Sequence, residues 1–106
     1  MNVFWLNETS MKLEVFKKTK HSREVYKFLY WNVEGEEILL AGPITPATKE
    51  HKDLSNFTAD IVPNGLQPYG AGTMEEGRIT SWGSSGFKII TPESVRPQIK
   101  EALCSS

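Results

Sequence analysis

The chain has 106 residues, of which 39% are hydrophobic, 10% aromatic and 24% charged, and twelve Lys or Arg against thirteen Asp or Glu give a formal charge of -1. This composition suits one ordinary globular unit spanning 1–106, and its balanced charge excludes a global basic field that would recruit nucleic acid or anionic lipid. A single cysteine, Cys104, and two histidines, His21 and His51, exclude a disulfide framework, a thiolate metal site and a histidine cage. No apolar run approaches the roughly 20 residues of a membrane-spanning helix. The opening Met1-Asn-Val-Phe-Trp-Leu-Asn-Glu lacks the charged and long apolar regions of a signal peptide, so the expectation is a cytoplasmic chain without a membrane partner. The sequons at Asn7 and Asn56 are then chance matches.

In chain order, Val3-Phe4-Trp5-Leu6 and Leu13-Glu14-Val15-Phe16 are short β-favouring runs separated by polar residues, and they predict a first hairpin. A stronger run covers Val25 to Val33. It is followed by the turn-like Glu34-Gly35-Glu36 and by Glu37-Ile38-Leu39-Leu40-Ala41-Gly42. Apolar residues on both faces of the 25–33 run predict a central strand covered on two sides. After Gly42-Pro43, Thr45 is a good N-cap, Pro46 suits a first helical position, and Ala47, His51, Leu54, Thr58 and Ile61 recur at helical spacing, which predicts a helix from about 46 to 61. Pro63-Asn64-Gly65 ends it, and Pro68, Gly70 and Gly72 predict a loop. Residues 77–82 and 87–90 predict two short strands joined through Gly83-Ser84-Ser85-Gly86. Val95, Ile99 and Leu103 share one stripe and predict a last helix near 95–103, with Pro97 tolerated in a first turn capped by Ser94. The order ββ-ββ-α-ββ-α predicts an α+β domain with a mostly antiparallel sheet of about five to six strands and two helices.

Three side chains stand out chemically. His51 falls on the apolar stripe of its helix, where it is either a partly buried imidazole bonded to a carbonyl or a neutral general base suited to proton transfer near neutrality. Lys27 shares a strand face with Val25, Leu29, Trp31 and Val33; its stem snorkels past a sheet edge, or its ammonium meets an anion beside low-dielectric walls. Arg78 opens a strand, where its guanidinium forks a phosphate or carboxylate, or pairs with Glu75 or Glu76. Thr91-Pro92-Glu93-Ser94 leads into the last helix, whose N-terminus offers N–H groups, with Ser94 beside them, to an anion. No P-loop, G-x-G-x-x-G, G-x-S-x-G or H-E-x-x-H motif occurs.

Tyr26-Lys27-Phe28-Leu29, Glu50-His51-Lys52-Asp53-Leu54 and Glu76-Gly77-Arg78-Ile79 resemble, in order, the strand-lysine, helix-histidine and Gly-Arg-Ile segments of the janus/ocnus family of phosphohistidine phosphatases. The likeness spans roughly residues 25 to 103. It implies an α+β fold, a cofactor-free and metal-independent hydrolase, His51 as catalytic base, and Lys27 and Arg78 as cations near the phosphoryl group of a phosphorylated protein or small phosphoramidate, with Ser94 at the last helix as a further phosphate-binding candidate. The chain departs from the family pattern in the acidic lead-in Glu75-Glu76-Gly77 and in Pro92-Glu93-Ser94, which stands where the family has a Gly-x-Ser phosphate loop.

A rival reading is a noncatalytic α+β module. Residues 12–27 hold six Lys or Arg against two Glu, and this basic hairpin, with exposed aromatics such as Trp5 or Trp82, would bind protein or nucleic acid. Convergence of His51, Lys27 and Arg78 on one cleft favours the enzyme; scattering favours the module.

Overall fold

The computed structural model describes residues 1–7, 9–10, 12–17, 25–44, 61–62, 66, 68–75, 78–81 and 93–103. The helix expected at about 46–61 lies outside them except for Ile61, which is in a turn, and the strand expected at 87–90 lies outside them. Six strands form one sheet: β1 (Asn2–Asn7), β2 (Lys12–Val15), β3 (Tyr26–Val33), β4 (Glu36–Pro43), β5 (Gly70–Glu75) and β6 (Arg78–Ser81). Their spatial order is β2-β1-β4-β3-β5-β6. Every pairing is antiparallel except that of β1 with β4, so the sheet is mixed but mostly antiparallel, as the alternation of short runs implied. A 3₁₀ turn at Glu93–Val95 leads into α1 (Arg96–Leu103), the one α-helix among the described residues. Pro97 takes the second helical position, where its missing N–H has no partner to lose.

The β3–β4 hairpin is set by local chemistry. Val33 pairs with Glu36 across a two-residue turn whose central residues both have positive φ, 52° at Glu34 and 88° at Gly35. That is the type I′ geometry whose twist matches the strands it joins. Asn32 Oδ1 accepts the Gly35 N–H at 2.9 Å and fixes the turn from outside the ladder. In the first hairpin Asn7 Oδ1 accepts the N–H groups of Thr9 and Ser10 at 2.9 and 3.2 Å.

β5 corrects the sequence reading, which took Gly70 and Gly72 for loop residues. Gly70, Ala71 and Gly72 are buried in the sheet directly opposite Tyr30, Leu29 and Phe28 of β3. Large side chains on one strand fill the space that small residues leave on the next, so low β propensity is overridden by the partner. β6 pairs with β5, with Met74 against Ile79 and Glu75 against Arg78. A register shift between Thr73 and Met74 marks a bulge in this edge pair.

The sheet is apolar on both sides. On one face Trp5, Tyr26, Phe28, Tyr30, Leu39, Ala41 and Met74 meet Ile99 and Leu103, which lie one turn apart on α1. The rings of Trp5, Phe16 and Tyr26 pack mutually, with centroids 5.3 to 6.1 Å apart. On the other face Leu6, Leu29, Trp31, Ile38, Leu40 and Ala71 form a second cluster with Val62, flanked by Ile61. Trp31 donates its indole N–H to the Leu66 carbonyl at 3.2 Å, tying residue 66 to this second face.

Truncating Leu103 to alanine removes the anchor of α1 and should cost about 2–5 kcal/mol in chemical denaturation. Glu34→Asn, a residue that accepts positive φ more readily, should raise stability by up to about 1 kcal/mol; a loss instead would show that the turn geometry is not what holds this hairpin.

Candidate functional site

Strand alternation decides where Lys27 points. Leu29 and Trp31 belong to the second face, so Lys27 shares it, and it is only 9% exposed. β3 lies between β4 and β5 in the interior of the sheet, which removes the reading of a stem passing a sheet edge. Directly across from Lys27 stand Gly42 on β4 and Thr73 on β5. Neither offers a large side chain, so the ladder leaves the lysine stem room on an otherwise apolar face.

Arg78 is exposed and pairs with Glu75, on the strand beyond Thr73. Met74 and Ile79 belong to the helix-covered face, so Glu75 and Arg78 project to the Lys27 side. Strand spacing and rise put the Cα atoms of Lys27 and Arg78 about 12 Å apart, a gap that two long cationic side chains can narrow around a shared anion. Glu75 lies diagonally between them at about 7–8 Å from Lys27, within reach of either cation. Among the described residues, Lys27, Glu75 and Arg78 thus lie at neighbouring register positions on one part of this face.

Of the described residues that flank the His51 segment, those after it pack on the Lys27 face and Pro43 before it does not. Ile61 and Val62 pack on the second cluster, whereas Pro43 pairs with Tyr26 of the helix-covered face. His51 itself, like Trp82 and Cys104, lies outside the described residues. Ser94 is exposed in the 3₁₀ turn before α1, and α1 packs on the opposite face, so the register does not bring Ser94 together with Lys27 and Arg78. Trp5 is 5% exposed and sits in the aromatic core, not on the surface as the rival reading needed. Among the described residues no group of three His, Cys, Asp or Glu side chains is placed to hold a metal ion, and no helix is long and apolar enough to cross a membrane.

The sequence reading missed a second polar feature on the helix-covered face. Tyr30 donates its hydroxyl to Glu37 Oε2 at 2.9 Å. Counting outward from the Glu34-Gly35 turn pairs Asn32 with Glu37 and leaves Tyr30 on the diagonal, so hairpin register was the available signal. Burial, then the hydrogen bond to Glu37, push the Tyr30 phenol from 10.0 up to about 12.

A raised phenol favours the neutral folded form, so its contribution to stability is complete below pH 10 and disappears as pH climbs toward 12. An ultraviolet phenolate titration should show one tyrosine ionising near 12, and Glu37→Gln should bring it back toward 10; an unmoved step would contradict the assignment. No protein-family model matches this chain, and neither a curated protein sequence nor a solved structure does, so its function rests on the arrangement of its own residues.

Proposed function

We propose that the Lys27 face of the sheet receives a phosphoryl group and that the protein hydrolyses phosphohistidine or a related phosphoramidate. The observation that carries this reading is a lysine 9% exposed on an apolar interior strand, sharing its face with Arg78. A cation beside low-dielectric walls attracts a phosphoryl oxygen far more strongly than a solvated one does. Lys27 neutralises one equatorial oxygen, and Arg78 forks two others. His51 accepts a proton from water as the water oxygen forms its bond to phosphorus. The P–N bond breaks, and the leaving imidazole or amine nitrogen takes up a proton. Charge neutralisation by the two cations and in-line positioning of water account for the barrier lowering. Ser94 is left out of this arrangement because its helix packs on the other face.

The rival, a binding module acting through residues 12–27, keeps the exposed Lys12 and Lys17 along the β2 edge. Its described aromatics, Trp5, Phe16 and Tyr26, are buried in the core and offer no free ring on which a base could stack.

Release of inorganic phosphate from phosphoramidate and from a phosphohistidine peptide, followed by phosphorus NMR, tests the proposal. His51→Ala should lower turnover by about 10²-fold or more, and Lys27→Met by a comparable factor. Glu75→Gln should tighten substrate binding, because it removes the carboxylate that competes with phosphate for both cations. Equal turnover by the parent chain and His51→Ala would end the catalytic reading; oligonucleotide binding that weakens steeply with salt would favour the module.

A further inference from the structure

Among the described residues β2 forms one edge of the sheet, with β1 on its inner side. The backbone groups of an antiparallel strand turn alternately toward one neighbour and toward the other. The Phe16 N–H donates to the Val3 carbonyl at 3.1 Å, one step beyond the Phe4–Val15 pair, so Phe16 faces β1. By alternation Lys12 and Glu14 also direct their N–H and C=O groups to β1, and Leu13 and Val15 direct theirs outward. Outward-turned groups on an edge strand are a template for a further strand. The edge is open at Val15, which is 71% exposed, and Lys12 is exposed beside it. Leu13 and Val15 stand opposite Leu6 and Phe4 and share the second face, whereas Lys12 and Glu14 stand opposite Asn7 and Trp5 on the other.

We propose that this edge pairs with the β2 edge of a second copy of the chain, antiparallel about a two-fold axis at Leu13, joining two six-stranded sheets into one. Charge selects both the partner and the register. Outward-turned residues must meet outward-turned residues, which leaves two registers that keep three strand residues of each copy paired, one centred on Leu13 and one on Glu14. Centred on Glu14, two carboxylates would face each other. Centred on Leu13, Lys12 faces the partner's Glu14 at both ends, in the closer kind of cross-strand pair, where opposite charges attract. Lys12-Leu13-Glu14 read backwards is thus its own complement, the property an isologous two-fold interface requires. Glu14 already accepts the Asn7 side-chain amide at 3.4 Å, and a carboxylate accepts about four hydrogen bonds, so it can receive an ammonium as well. On the second face Leu13 meets the partner's Leu13, and Val15 lies diagonal to it and gains apolar cover. Edges of four residues bury little area, so the dimer is weak and concentration-dependent. Neither Lys27 nor Arg78 takes part, and the pairing stands apart from the phosphoryl reading.

The test is sedimentation equilibrium of the full chain, with amide hydrogen exchange at low and high protein concentration. The mean mass should climb from monomer toward dimer across roughly 0.02–2 mM. Exchange at Leu13 and Val15 should slow by about fivefold at the upper concentration, while the Lys12 and Glu14 amides, already bonded to β1, change little. Val15→Pro removes an outward N–H and no bond to β1, and should weaken association by about tenfold or more. Lys12→Glu should weaken it similarly by setting carboxylates opposite one another, and serves if the proline variant does not fold. Lys12→Glu/Glu14→Lys restores the complement with signs exchanged and should bring association back to within a few-fold of the parent. Monomer mass at every concentration, association undiminished by Lys12→Glu, or no recovery in a folded swapped variant would overturn the proposal. A dimer whose newly protected amides lie on β6 would assign the contact to the opposite edge and overturn it too.

Discussion

β3 must be covered on both sides. From Tyr26 to Trp31 its residues are buried in unbroken succession, alternately toward α1 and toward the second cluster. A strand of this kind is stable only in the interior of a sheet with apolar cover over each face, since burying a large side chain contributes about 1.5–3 kcal/mol and leaving it wet forfeits that. β4 and β5 flank it for this reason, and the small residues of β5 are tolerated because Phe28, Leu29 and Tyr30 fill the space beside them. Ile99 and Leu103 close one side, and Ile61 and Val62 return to the other.

Lys27 is the exception within that constraint, and the exception directs the functional argument. A buried ammonium is costly unless an opposite charge or several acceptors receive it, so its neighbourhood must supply negative charge from protein or ligand. Among the described residues of the strands, Glu75 and Arg78 are the charges nearest to it by register on its own sheet face. Glu75 tempers the attraction of the two cations for a phosphoryl group, and its exposure lets it yield to a competing anion.

Much of this architecture was legible in the residues. The alternation in 25–33 identified the central strand and the side on which Lys27 lies, and Glu34-Gly35 identified the turn that sets the register of β3 with β4. β5 was hidden because Gly70 and Gly72 carry no side chains and owe their place to residues some forty positions earlier in the chain. Trp5 misled the rival reading because a short β run next to a polar turn does not reveal which of its faces is covered; Phe16 and Tyr26 decide that from other strands.

The central claim is that Lys27 and Arg78 act together on a phosphoryl group at the second face. Chemical shifts of the Lys27 side-chain nitrogen, followed while phosphoramidate is added to the parent chain and to Arg78→Gln, test it most directly. The account predicts a saturable shift in the parent and a much weaker response when the guanidinium is gone. A Lys27 resonance indifferent to phosphoramidate, or equally responsive in both proteins, would contradict it.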